Sequence, residues 1–459
     1  MKPSIVAVLL SLVFGWPAGL AAAGRVELQE VSCRVYRFNG GNFEGSQWSA
    51  ILPASNGKIY VGICAHGDSG YVYEFDPATE KMTMLANLSE LARERGKGIW
   101  TTGKIHAQMQ ELDGYVYFGA LDEDSGPPAI DPSSFQGPHW YRIEMATGKV
   151  EQLAPINSFW GITGQAMDKK RRLIFGLAEN GHLYRYHIDS DYSEDLGKVD
   201  DWDICRTIFM DDGGNVYGSY AGGHVWKYDA GQDRVFDLEH LHLPILNQPR
   251  SLTNPMLDRK TQWRDIEWHH QENVAYGIIG GNNMLFRYDV HQGPEGTITP
   301  LVMLPPPNFR DRPPESWPTA RITLTISYRE NKIYYMPEMM GGFDYGDTSF
   351  DVMDESKSVE RMTGERLAPL AYILSYDIKT GKVTDLGLLK AQDGRFAYGS
   401  DGNAADKDGK IWFAGAFEEP DPKLAAGIIN GKYPFSLGLG VYDPFAATTS
   451  KSPASNQEN

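Results

Sequence analysis

Four short motifs, KIHAQ, CRTI, WRDI and ARIT, carry His106, Arg206, Arg264 and Arg321 at similar distances ahead of apolar segments that end at a recurring position. Counting thirteen residues back from Gly62, Gly119, Gly176, Gly218, Gly277, Met336 and Ala414 gives Ser49, His106, Thr163, Cys205, Arg264, Thr323 and Asp401. One residue of slack replaces Cys205 with Arg206, and two replace Thr323 with Arg321. If these positions are equivalent in a repeating fold, one imidazole and three guanidiniums converge. Guanidiniums so placed repel one another unless they share an anion or the Asp401 carboxylate. A guanidinium forks onto a carboxylate or sulfate with aligned N–H bonds, and an imidazole titrates in the range useful to a base or an acid. Trp48, Trp100, Trp160, Trp202, Trp263 and Trp317 fall in the same register. Trp263, directly before Arg264, offers an aromatic face on which a sugar ring stacks beside the charge. The competing expectation for each Trp is packing between repeats, and for each Arg a bond to a backbone carbonyl or a neighbouring carboxylate. His139, in GPHWY, closes a long insertion and is placed to approach His106; His66, His182 and His224 are expected to be surface or packing residues.

These residues need elements to position them, and the stretch Cys205 to Leu238 shows what the elements are. An apolar run (Thr207 to Met210) meets an Asp-Gly-Gly turn, then come Val216 to Tyr220, a Gly turn, Val225 to Tyr228, a polar turn and Val235 to Leu238. The third strand and its turn recur as YEFDPATEKM, YRIEMATGKV, YRYHIDSDYSEDL, FRYDVHQGPEGTI and LSYDIKTGKVTDL, and in part as GVYDPF. Four strands repeated at roughly 40 to 50 residues describe a β-propeller blade. The second strand recurs seven times. The expected fold is therefore all-β, a seven-bladed β-propeller of four-stranded antiparallel blades in a single domain over residues 24–445. VELQEVSCRVYRF, residues 26–38, precedes the first blade, and the last unit lacks a clear fourth strand, so the N-terminal strand is expected to close the ring on blade seven.

In such a blade the loops between strands two and three, and those between blades, leave from one face. The long insertions all belong to this set: Leu121 to Pro138, His240 to Thr261, Pro305 to Pro318, Met339 to Pro369 and Glu418 to Pro434. Long loops gathered on one face of a rigid scaffold point to a binding face there, and the His and Arg register lies at the same end.

Residues 1–23 combine Lys2, an apolar run from Ile5 to Phe14 and Ala21-Ala22-Ala23, the pattern of a secretory signal peptide. No later stretch is long and apolar enough to span a membrane, so the mature chain is expected to be exported, to the periplasm or beyond. Residues 446–459 read as a disordered polar tail. Three cysteines, Cys33, Cys64 and Cys205, permit at most one disulfide and show no zinc spacing, and no metal or cofactor is expected. A net charge of −17 disfavours nucleic acid as a partner while leaving room for a locally positive cleft.

Over about 400 residues, through KIHAQMQELDGYVYFG, GPHWYRIEMATGKV and CRTIFMDDGGNVYGS, the chain resembles the seven-bladed propeller polysaccharide lyases, the ulvan lyases in particular, with oligogalacturonate lyase more distant. The resemblance implies β-elimination on an acidic, uronate-containing polysaccharide. It carries that family's two catalytic histidines onto His106 and His139 and its arginine onto Arg206, with Tyr220 as the candidate for its tyrosine. Arg264, Arg321 and Trp263 would then bind substrate. Elimination beside a uronate requires neutralising the carboxylate, a base for the C5 proton and an acid for the leaving oxygen, tasks suited to Arg, His and Tyr. Two alternatives stand beside it. A non-enzymatic propeller would bind a glycan or a protein partner with the same Arg and Trp mouth. A calcium-dependent lactonase-like propeller would need carboxylates on the inner strands, where only Asp401 is expected.

Overall fold

The computed structural model describes residues 29–446 apart from 41–45, 66–68, 95–101, 122–136, 157–159, 200–204, 246–260, 312–313, 315–316, 338–369, 422 and 430–432. The expected signal segment, the tail beyond 446, His66, Trp100, Trp202 and most of three long insertions lie outside the described residues.

Strands add outward from the axis in chain order. Blade one is Ser46–Pro53, Ile59–Ala65, Ser69–Asp76 and Lys81–Asn87, paired in that order, and four further four-stranded antiparallel sheets follow, ending with Thr297–Met303. Blade six runs from Leu324–Ser327 to Val383–Ala391. Blade seven contains Ala397–Ala405, Ile411–Glu418 and Tyr433–Tyr442, and its outermost strand is the N-terminal Glu30–Arg37. Seven blades thus form the ring, as the repeat implied. The closing strand does more than expected. Its second half pairs antiparallel with blade seven (Arg34 with Val441 to Arg37 with Gly438), whereas its first half pairs parallel with blade six (Glu30 with Leu388 to Cys33 with Ala391). One strand therefore ties the last two blades into a single nine-stranded sheet.

The periodicity follows from where each strand packs. Second strands are covered on both faces, so Ile59–Ala65 is buried at every position, while outer strands such as Lys81–Asn87 keep exposed residues. The recurring glycine of the second strand is a packing requirement. A Cβ at Gly62 would lie 2.7 Å from Ile105 of the next blade, and one at Gly119 would lie 2.7 Å from Ile162. Apolar clusters consequently fill the gaps between blades. Phe38, Val61, Phe75, Trp412 and Leu439 join blades one and seven across the closure, each large side chain contributing roughly 1.5–3 kcal/mol.

Inner strands are the least regular part. In blade four only Phe209–Met210 forms ladder, two residues shorter than the sequence suggested, because the Thr207 carbonyl instead accepts the Trp263 indole of blade five at 2.8 Å. The outer strand of that blade, Arg234–His242, runs into what reads as insertion, since His242 pairs with His224. The three cysteines are buried and none is in a disulfide. Among the described residues no helix is long and apolar enough to cross a membrane.

Candidate functional site

Where inner strands lose ladder bonds, side chains from neighbouring blades supply them, and the register positions do much of this. Ser49 Oγ donates to the His106 carbonyl, His106 Nδ1 donates to the Thr163 carbonyl at 2.7 Å, and Thr163 Oγ1 donates to the Cys205 carbonyl at 3.2 Å. Arg264 Nε donates to the Ala320 carbonyl at 3.2 Å. Each fastens one blade to the next around the axis, so the equivalence read from spacing is real, and part of its purpose is structural.

His106 and Arg206 are brought into direct contact. Nη1 of Arg206 lies 2.8 Å from Nε2 of His106, and the residues are 4% and 0% exposed respectively. A carbonyl can only accept, so the Thr163 bond puts the imidazole proton on Nδ1, and the guanidinium can only donate, so Nε2 offers its lone pair to Arg206. The tautomer is thereby determined. Burial holds His106 well below the usual imidazole range, reinforced by the positive charges of Arg206, Lys104 and, more weakly, Arg264, with the Thr163 bond opposing them. The field of these cations therefore keeps the imidazole neutral, and Arg206 is the one bonded to it. Lys104 and Arg264 are themselves 5% and 6% exposed. Trp48 of blade one completes the cluster, stacked on His106 at 5.0 Å between centroids and 25° between planes. Lys104 Nζ lies 4.1 Å, and Arg206 Cζ 5.1 Å, from the centroid of its ring.

Other candidates are placed elsewhere. Trp263 is 1% exposed; its indole is bonded to Thr207 and packs against Phe209 and Phe286, making it a wedge between blades rather than a sugar platform. Tyr220 donates its hydroxyl to Asp237 on the outermost strand of blade four at 2.7 Å and stacks on His224, so it is directed away from the axis. His139 opens the third strand of blade two, half-buried, with its ring edge-on to Tyr141 at 6.5 Å; no hydrogen bond or ring contact joins it to His106. Burial lowers its pKa. Arg321 is half-buried just ahead of blade six, and its backbone N–H donates to the Tyr335 hydroxyl. The Asp401 backbone belongs to the inner strand of blade seven; its side chain lies outside the described residues.

Two groups went unread in the sequence. Asp265 and Glu267, on the inner strand of blade five, line a central cavity of about 720 Å³ together with Gln108, Gln110, Gln165 and Asn403. Asp401 is thus not the sole carboxylate on an inner strand. Asp265 accepts from the Ile266 and Leu324 amides at 3.0 and 2.8 Å, and Glu267 accepts from the Ile326 amide at 2.9 Å, which fastens blade five to blade six. Burial raises their pKa values to about 7 and about 8. The alternation of Asp265 and Glu267 at i and i+2 was the available signal, since both must then share a face of the strand.

The architecture defines the chain as a seven-bladed β-propeller. Among solved structures of similar fold are the RRP9 WD40 repeats, at TM-score 0.53 and 7% identity over 91% of this chain and 100% of that one. A chain from the mitotic checkpoint complex aligns at TM-score 0.49 and 10% identity over 95% and 99%. At such identities the likeness concerns the fold alone. No protein-family model matches the chain, and no curated protein is significantly similar in sequence.

Proposed function

We propose that the propeller binds an acidic saccharide where Trp48, Lys104, His106 and Arg206 meet, and cleaves it by β-elimination. The observation carrying this reading is that the Arg206 guanidinium donates to Nε2 of the buried His106, while Trp48, stacked on that imidazole, carries Lys104 and Arg206 against its ring. A uronate carboxylate competes for the Arg206 fork. As Nη1 transfers from His106 to that carboxylate, the Nε2 lone pair is released beside a substrate whose C5 proton has become more acidic. His106 then takes the C5 proton, the C4–O bond breaks, a C4=C5 double bond forms, and the proton passes from Nε2 to the leaving oxygen. No water is consumed. This sequence calls on neither Tyr220, whose hydroxyl donates to Asp237, nor His139, whose ring meets Tyr141, and it fits the export that residues 1–23 lead one to expect.

A purely binding propeller is the second reading, favoured by the complete burial of His106. Incubation with a panel of uronic-acid polymers, followed by absorbance of the unsaturated product, separates the two. Lyase activity requires product from the wild type and none from His106→Gln, with affinity for the polymer retained in that variant. Polymer binding without product from any member of the panel establishes the binding reading instead.

A further inference from the structure

Trp48 touches the groups that make this cluster a candidate site, yet it comes from a different blade than any of them. Its ring meets His106 and Lys104 of blade two and Arg206 of blade four. An indole face attracts a cation through its quadrupole, so two cations gathered on one indole are held close against their mutual repulsion. The Trp48 Nε1–H is buried and has no hydrogen-bond acceptor within the protein, although a buried indole N–H ordinarily finds one. Trp263, at the equivalent register, has its indole bonded to Thr207.

We propose that Trp48 organises the anion site: its ring holds Lys104 and Arg206 at a spacing from which they share one anion, and its Nε1–H donates a hydrogen bond to that anion. This rests on the reading of the cluster as a site for an acidic saccharide. It makes Trp48 a positioning residue for the two cations and a direct contact for the ligand.

The test uses the full chain labelled with 15N at Trp and His, with inorganic sulfate and free glucuronate as probes. Trp48→Phe keeps a π face and removes the N–H. It should leave the His106 titration low and weaken both probes by about tenfold, the loss of one charge-assisted hydrogen bond. Trp48→Leu removes the face as well, so Lys104 and Arg206 spread and the His106 titration midpoint should rise by about one unit or more. Should the Leu variant fail to fold, Trp48→Met fills similar space without a π face. In the wild type, the indole resonance that vanishes in Trp48→Phe should move when sulfate is added. The positioning role is overturned if the His106 titration is unchanged in Trp48→Leu, or in Trp48→Met if that substitute is used. The donor role is overturned if Trp48→Phe binds sulfate as tightly as the wild type. A wild type that binds neither probe overturns the anion-site reading and the donor role with it, while the His106 titration still decides positioning.

Discussion

The seam between blades five and six should weaken as pH rises. Asp265 and Glu267 accept backbone amides of blade six from a buried strand, and burial raises their pKa values from 3.8 to about 7 and from 4.5 to about 8. The groups facing them are Arg264, whose charge pulls Asp265 down, the Thr207 and Thr325 hydroxyls, which favour the ionised forms, and Tyr328 near Glu267. A folded state that binds protons more tightly than the unfolded chain loses stability as pH rises. The contribution is full below pH 4 and is lost through the interval ending near pH 7 to 8. One unit corresponds to about 1.4 kcal/mol, so Asp265 alone accounts for on the order of 4 kcal/mol. Glu267, partly open to the cavity, accounts for less. Urea unfolding midpoints taken from pH 5 to pH 9 should therefore fall for the wild type. Asp265→Asn combined with Glu267→Gln keeps an acceptor oxygen at each position and cannot ionise, so its midpoints should fall much less. A double variant whose midpoints decline in parallel with the wild type would refute the reasoning. His106 acts in the opposite sense. Its lowered pKa makes it stabilising above the ordinary imidazole range, and that contribution is lost as pH falls below it.

Other outcomes follow from single contacts. A Cβ at Gly387, where φ is +135°, would lie 2.3 Å from the Gln29 carbonyl oxygen, so Gly387→Ala should loosen the N-terminal strand and destabilise the ring by about 1–3 kcal/mol, seen as faster proteolysis near residue 30. Unchanged protease sensitivity would count against the shared role of that strand. Trp263→Phe leaves the buried Thr207 carbonyl without its indole donor and should cost about 1–3 kcal/mol in urea unfolding while leaving sulfate affinity unchanged. Cys33, pushed up to about 12 by burial and by Asp393, should ignore a thiol reagent in the folded protein and react only on unfolding. A rapid native reaction at Cys33 would contradict its burial.

The local rules of the chain were enough to specify the architecture. Turn residues, β-branched runs and the repeated glycine each act within a few residues, and seven recurrences of one pattern leave a ring as the way to bury both faces of every blade. The closure on blade seven was legible for the same reason, since one blade lacked a strand and one strand lacked a blade. Counting back from the glycine also set His106 and Arg264 in equivalent places, because inner strands of similar length start from the same packing point.

What only the tertiary structure decided is which registered side chains meet. Trp48 and Trp263 stand at the same offset, yet one is a platform for charge and the other a wedge. The difference is made by the neighbouring blade: Thr207 presents a carbonyl to Trp263, whereas Lys104, His106 and Arg206 surround Trp48. Tyr220 turned outward because Asp237 on the outer strand captured its hydroxyl. Asp265 and Glu267 stand out only once the packing of blades five and six buries them, which raises their pKa values. Spacing along a chain determines the level at which a residue sits around the axis. Contacts between residues a hundred positions apart, such as His106 and Arg206, also depend on the radial and angular positions that packing of whole blades imposes.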